Sequence, residues 1–99
     1  MFWKKDKSGH VSPKDALISE IEGLTTGQAI RYRLTDTFGG GLAVIGLNPE
    51  YPAKGARYVL CTEALANEKP SGNKRTLFDT NKAKLLADWI FDRNGQRYA

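Results

Sequence analysis

The residues that could do chemistry in this 99-residue chain are few and scattered. One histidine, His10, and one cysteine, Cys61, give no zinc-type spacing and no intramolecular disulfide. A nucleophilic triad needs a base, and His10 lies in a polar leader ahead of the first structured segment. Asp36 and Glu63 are the nearest approach to a carboxylate pair. Both are expected at strand ends or solvated faces, where an acid keeps its charge. Phe38-Gly39-Gly40-Gly41 invites a phosphate-loop reading, but no Gly-Lys-Ser/Thr follows and the next segment reads as a strand. A phosphate cradle needs a helix N-terminus there, so the glycines are expected to make a hairpin turn. Catalytic, cofactor and metal residues are therefore all assigned as none, and a small-molecule enzyme ranks last among the readings.

Binding chemistry has more to work with. The formal net charge is +4, and four of the fifteen basic residues (Lys4, Lys5, Lys7 and Lys14) fall within the first 14 positions against Asp6 alone. The remaining 85 positions hold eleven basic and ten acidic side chains, so the folded part is close to neutral. A nucleic-acid binder usually gathers positive charge on one folded face. The candidate face of that kind pairs Arg31 and Arg33 with Tyr58 or Phe78 as stacking platforms. The competing structural use of those arginines is cross-strand pairing with Glu63 and Asp36. A protein contact uses the large groups without an obvious place in a single-layer core: Trp3, Tyr51, Leu85, Trp89 and Phe91, with Arg93 beside them. Aromatics near arginine have the composition of binding hot spots. The alternative is that Trp3 folds back over the flank of the last helix.

The elements that must position these groups follow from periodicity. Ser12-Pro13-Lys14-Asp15 is a helix start, with Ser12 as cap, Pro13 in the first turn and Asp15 as the capping-box acid. Leu17, Ile18, Ile21 and Leu24 then share one stripe, and Gly23 is expected to stop the helix in a left-handed conformation. Residues 28–79 read as four strands. Ile30, Tyr32 and Leu34 alternate with Arg31, Arg33 and Thr35, the period of a half-buried strand. Leu42–Leu47 (LAVIGL) is apolar on both faces and is expected to be an inner strand. After a long connection over 48–55, a third strand covers 57–65, with Cys61 read as a small buried hydrophobe. A polar turn over 67–74 and a short fourth strand at 75–78 complete the run. The last helix is expected from Asp79 or Thr80, centred on Leu86 and Ile90, with Ala83 and Ala87 on one flank. Leu85 and Trp89 form the other flank, in line with Arg93, and Asn94-Gly95 ends the helix.

This order of helix, antiparallel strands and helix resembles the double-stranded-RNA-binding domain, and Ala83-Lys84 with Ala87 echo the start of its last helix. The resemblance is one of topology: the paired lysines of such a domain would fall on Thr80 and Asn81, and a fourth strand is extra. Without those cations the phosphate clamp that the resemblance implies is missing. The expected fold is α+β, α-β-β-β-β-α: a four-stranded antiparallel meander with both helices on one face. Residues 1–11 are expected to be a flexible basic leader and 12–99 a single domain. The leader has no apolar h-region, and no run approaches the roughly 18 apolar residues of a membrane span, so no membrane partner is expected. One unpaired cysteine suits a reducing cytoplasm. The expected role is a binding module, with a protein partner or self-association favoured and nucleic acid as the alternative.

Overall fold

The computed structural model describes residues 12–34 and 41–98. The first helix, α1 (Pro13–Glu22), is capped by Ser12, whose hydroxyl accepts the Asp15 amide at 3.1 Å. Pro13 sits in the first turn, where its missing amide hydrogen costs nothing. Gly23 closes the helix with φ −94°, not in the left-handed conformation that the sequence suggests. Its amide returns to the Ser19 and Glu20 carbonyls, so the last turn closes without a positive φ. The positive φ comes four residues later, at Gly27, with φ 89° in the turn that leads into the sheet.

The sheet is antiparallel and has five strands: β1 (Ala29–Arg33), β2 (Leu42–Leu47), β3 (Tyr58–Ala66), β4 (Lys69–Thr80) and β5 (Gln96–Arg97), in the order β4-β3-β2-β1-β5. Four consecutive strands run as the expected meander. The fifth is an addition: two residues at the chain end pair with Tyr32 and Arg33 on the outer side of β1. Two polar residues carry no period-two apolar face, so nothing in the sequence marks them as a strand.

β4 departs most from expectation. The polar stretch over 67–74 is mostly strand, and the reversal itself takes only Asn67 and Glu68, at φ 53° and 65°. Positive φ at both central positions suits the twist of a tight hairpin. Cross-strand pairing with β3 overrides the turn propensity of the rest, and Pro70 is tolerated because β4 is an edge strand. β4 also runs on through Asp79 and Thr80, so neither caps the second helix, α2 (Ala83–Asp92), whose N-cap is Lys82. At the other end of α2 the positive φ belongs to Asn94, at 54°. Gly95 is needed for packing instead, since a Cβ there would lie 2.8 Å from Ile90 Cγ2.

The core lies between one sheet face and the two helices. Ile30, Ile45 and Leu60 stand side by side across β1, β2 and β3, with Phe78 of β4 next in the row. Leu17 and Ile21 of α1 and Leu86, Ala87 and Ile90 of α2 pack in the same cluster. Each large aliphatic side chain withdrawn from water contributes about 1.5–3 kcal/mol. One ion pair ties the helices to each other, Lys14 of α1 reaching Asp88 of α2 at 2.9 Å, and Lys84 meets the same carboxylate from within α2, also at 2.9 Å. Hydrogen bonding to Lys14 and Lys84 holds the Asp88 carboxyl below its usual range.

Candidate functional site

Alternation along the strands sends a different set of side chains to the face without helices. Arg31, Val44, Cys61 and Thr76 make one row across β1 to β4, and Arg33, Leu42, Glu63 and Lys74 make the next. Tyr58 pairs with Leu47 and Phe78 with Leu60, rows whose members pack in the helix-covered core. Tyr58 is buried there and Phe78 half-buried. The candidate stacking face of Arg31, Arg33, Tyr58 and Phe78 is therefore split between opposite sides of the sheet. Alternation sets Arg31 and Arg33 of β1 against Tyr58 of β3. An extra residue in β4 at Leu77 shifts the register, so that Phe78 joins the core row while Thr76 stays on the other face. Cys61 also differs from expectation. It is half-buried on the helix-free face, with Sγ 3.7 Å from Thr76 Oγ1.

This face holds an open groove of about 850 Å³. Val44, Val59 and Cys61 contribute to its floor, and three cations reach it from different elements: Arg31 from β1, Arg57 from the β2–β3 connection and Lys74 from β4. No acidic residue is among the described residues that line it. Of these cations the sequence singles out only Arg31. Lys74 hides in what reads as a turn, and Arg57 at what reads as a strand start.

The β2–β3 connection builds the rim. Asn48 organises it: Nδ2 donates to the Lys54 and Ala56 carbonyls, both at 2.9 Å, and Oδ1 accepts the Glu50 amide at 3.0 Å. Asp79 accepts the Ala56 amide at 2.6 Å and Asn81 the Arg57 amide at 2.8 Å, which anchors the loop to the end of β4 and the link that follows it. Gly55, at φ 78°, is required where it stands, because a Cβ would lie 2.7 Å from both Asn48 Nδ2 and Asp79 Oδ2. This wiring presents Tyr51, 41 % exposed, at the groove. Thr80 and Asn81, where the RNA-binding resemblance would need lysines, have structural uses: Thr80 accepts the Lys82 amide and Asn81 holds Arg57.

The other end of the face is shaped by the β3–β4 hairpin. Glu63 pairs with Lys74, but Leu65 pairs with Pro70, so Ser71, Gly72 and Asn73 together oppose only Ala64. Such a bulge bends the ribbon. Continued straight, the hairpin would carry Glu68 about 16 Å beyond Glu63, out of reach of β1. Instead Arg33 Nη1 lies 2.8 Å from Glu68 Oε1, and the Tyr98 hydroxyl donates to the Glu68 carbonyl at 3.4 Å. The arm turns toward the helix-free face, with Glu63 Oε2 accepting the Gly72 amide at 2.7 Å at the bend.

The candidate protein-contact residues are dispersed. Trp89 packs partly against the core, and the Arg93 guanidinium lies 4.0 Å from its ring centroid while donating to the Trp89 carbonyl at 3.1 Å. Phe91 likewise packs on the core, 6.4 Å from Tyr32 between ring centroids. Leu85 remains 46 % exposed. Tyr51 belongs to the groove on the other side of the sheet. Trp3, the basic leader, His10 and Asp36 lie outside the described residues. Among the described residues there is no group of three or more His, Cys, Asp or Glu side chains placed to hold a metal ion, and no helix long and apolar enough to cross a membrane. Comparison with protein-family models, curated proteins and solved structures found no match.

Proposed function

We propose that this chain is a small non-enzymatic binding module that contacts another macromolecule, a protein in preference to a nucleic acid, through the groove on the helix-free sheet face. The observation that carries this reading is the composition of the lining: Arg31, Arg57 and Lys74 converge on a partly apolar floor with no acid among the lining residues. Tyr51 at the rim supplies the exposed aromatic anchor common in protein contacts. Single-stranded nucleic acid calls for aromatic platforms under successive bases, and Tyr58 and Phe78 are on the wrong side to provide them. Self-association through this face would set cation against cation, which favours a foreign partner. The flank of α2 is a weaker candidate, since Trp89 is engaged by the core and by Arg93 and leaves Leu85 as the main exposed group. A cytoplasmic setting accompanies the reading, supported by the free thiol of Cys61.

The test is a fluorescence-anisotropy titration with two dye-labelled probes, a peptide of alternating Glu and Ser and an oligothymidine of equal charge. The reading expects saturable peptide binding that weakens about ten-fold when Arg57→Glu and Lys74→Glu are combined. Leu85→Glu should leave that affinity unchanged. Preference for oligothymidine would move the reading to nucleic acid. Loss of binding on Leu85→Glu alone would move it to the helix flank.

A further inference from the structure

We infer that the partner segment is an extended acidic polypeptide that runs out of the groove along β1 and displaces Glu68 from Arg33; this rests on the binding reading above. Arg31 and Arg33 are two residues apart on β1, so their side chains leave the same face about 7 Å apart. An extended peptide with acids at alternate positions presents carboxylates at the same interval. Arg31 lines the groove, whereas Arg33 does not and is held at 2.8 Å by Glu68, whose side chain is 76 % exposed. The face thus carries a fourth cation, covered by a carboxylate from the chain's own hairpin. That internal contact has the chemistry expected of the partner, a carboxylate on an arginine from an extended ribbon.

The position of Glu68 supports a role beyond closing a turn. Its φ of 65° is costly for a side chain of this kind, and glycine is the usual occupant of such a site. The Arg33–Glu68 pair is open to solvent, so it holds weakly and can be exchanged for an incoming acid. In the free protein the hairpin tip shortens the cationic track, and partner binding lengthens it.

Glu68→Gly suits the backbone of the turn and removes the competing carboxylate. In the titration with the Glu/Ser peptide this variant should bind about two- to five-fold more tightly than the unmodified chain. Glu22→Gln, which makes the same change of charge on exposed α1, should give little of that gain, and Arg33→Gln should abolish it. If Glu68→Gly binds no more tightly than Glu22→Gln, the inference is overturned while the groove keeps its proposed role. If neither the unmodified chain nor Glu68→Gly binds the peptide, both fail. If Glu68→Gly tightens oligothymidine and not the peptide, the assignment of the partner as polypeptide is overturned.

Discussion

Glu63 is a charged group almost fully withdrawn from water, 3 % exposed, and its two oxygens differ in their surroundings. Oε2 accepts the Gly72 amide at 2.7 Å. Oε1 faces Arg31 Nε at 3.8 Å, across the intervening strand β2, and among the described residues neither of those atoms has a hydrogen-bond partner. The carboxylate therefore depends on Arg31 for charge compensation and on the arm for its hydrogen bond. Arg31→Met should lower stability by about 2 kcal/mol, read as a fall in the urea midpoint, because it leaves a buried charge without its cation. Glu63→Gln made in the Arg31→Met chain should recover part of that loss, and no recovery would contradict the electrostatic account. The pairing of Arg31 with Glu63 was legible in the sequence, since a basic strand face sought an acid on a neighbouring segment. That Arg33 meets Glu68 was not legible. It follows from a bulge at Ser71–Gly72–Asn73, which no periodicity announces.

The short elements of this fold are held by few contacts, so losing one of them has a readable effect. β5 pairs with β1 over two residues, and Arg97 adds a two-pronged bond to Glu20 of α1, at 2.7 and 2.6 Å. Hydrogen bonding to Arg97 lowers the Glu20 pKa from its ordinary value of 4.5, so this contact stabilises the fold above that value and is lost as pH falls through the lowered one. Both groups are substantially exposed, which limits the contribution to about 1 kcal/mol or less. Exchange of the Tyr98 amide, which donates to the Arg31 carbonyl at 3.0 Å, should accelerate on Glu20→Gln relative to the unmodified chain at pH 6. That difference between the two proteins should shrink below pH 4, and a constant difference would contradict the assignment. The groove rim offers a second test. Gly55→Ala should cost more than about 1 kcal/mol in thermal or urea unfolding, since it combines a positive φ with a collision against Asn48 and Asp79. A neutral result would mean that the loop is less tightly wired than its hydrogen bonds imply. α1 and β2 were legible because a capping serine and a continuous apolar run are strong local signals. The extent of β4 was not, because its turn-forming residues are kept in strand by β3.

One face of the sheet packs its side chains under the helices, and the other brings Arg31 and Lys74 into the groove. The sequence pattern was enough to indicate an α+β domain with an antiparallel sheet roofed by helices. It also left several aromatics without a place, and the structure accounts for two of them by packing Trp89 and Phe91 against the core. The parity of Tyr58 and Phe78 could not be read reliably without strand register, and that parity separates a packed aromatic from an exposed platform. The groove joins Arg31, Arg57 and Lys74 from three elements, a juxtaposition that only the tertiary fold creates. The most direct test of its role is an NMR titration of the ¹⁵N-labelled chain with the Glu/Ser peptide. The account predicts saturable amide shifts that cluster at Arg31, Val44, Arg57, Val59 and Lys74. Shifts confined to α2 around Leu85 and Arg93, with the groove amides unmoved, would contradict it.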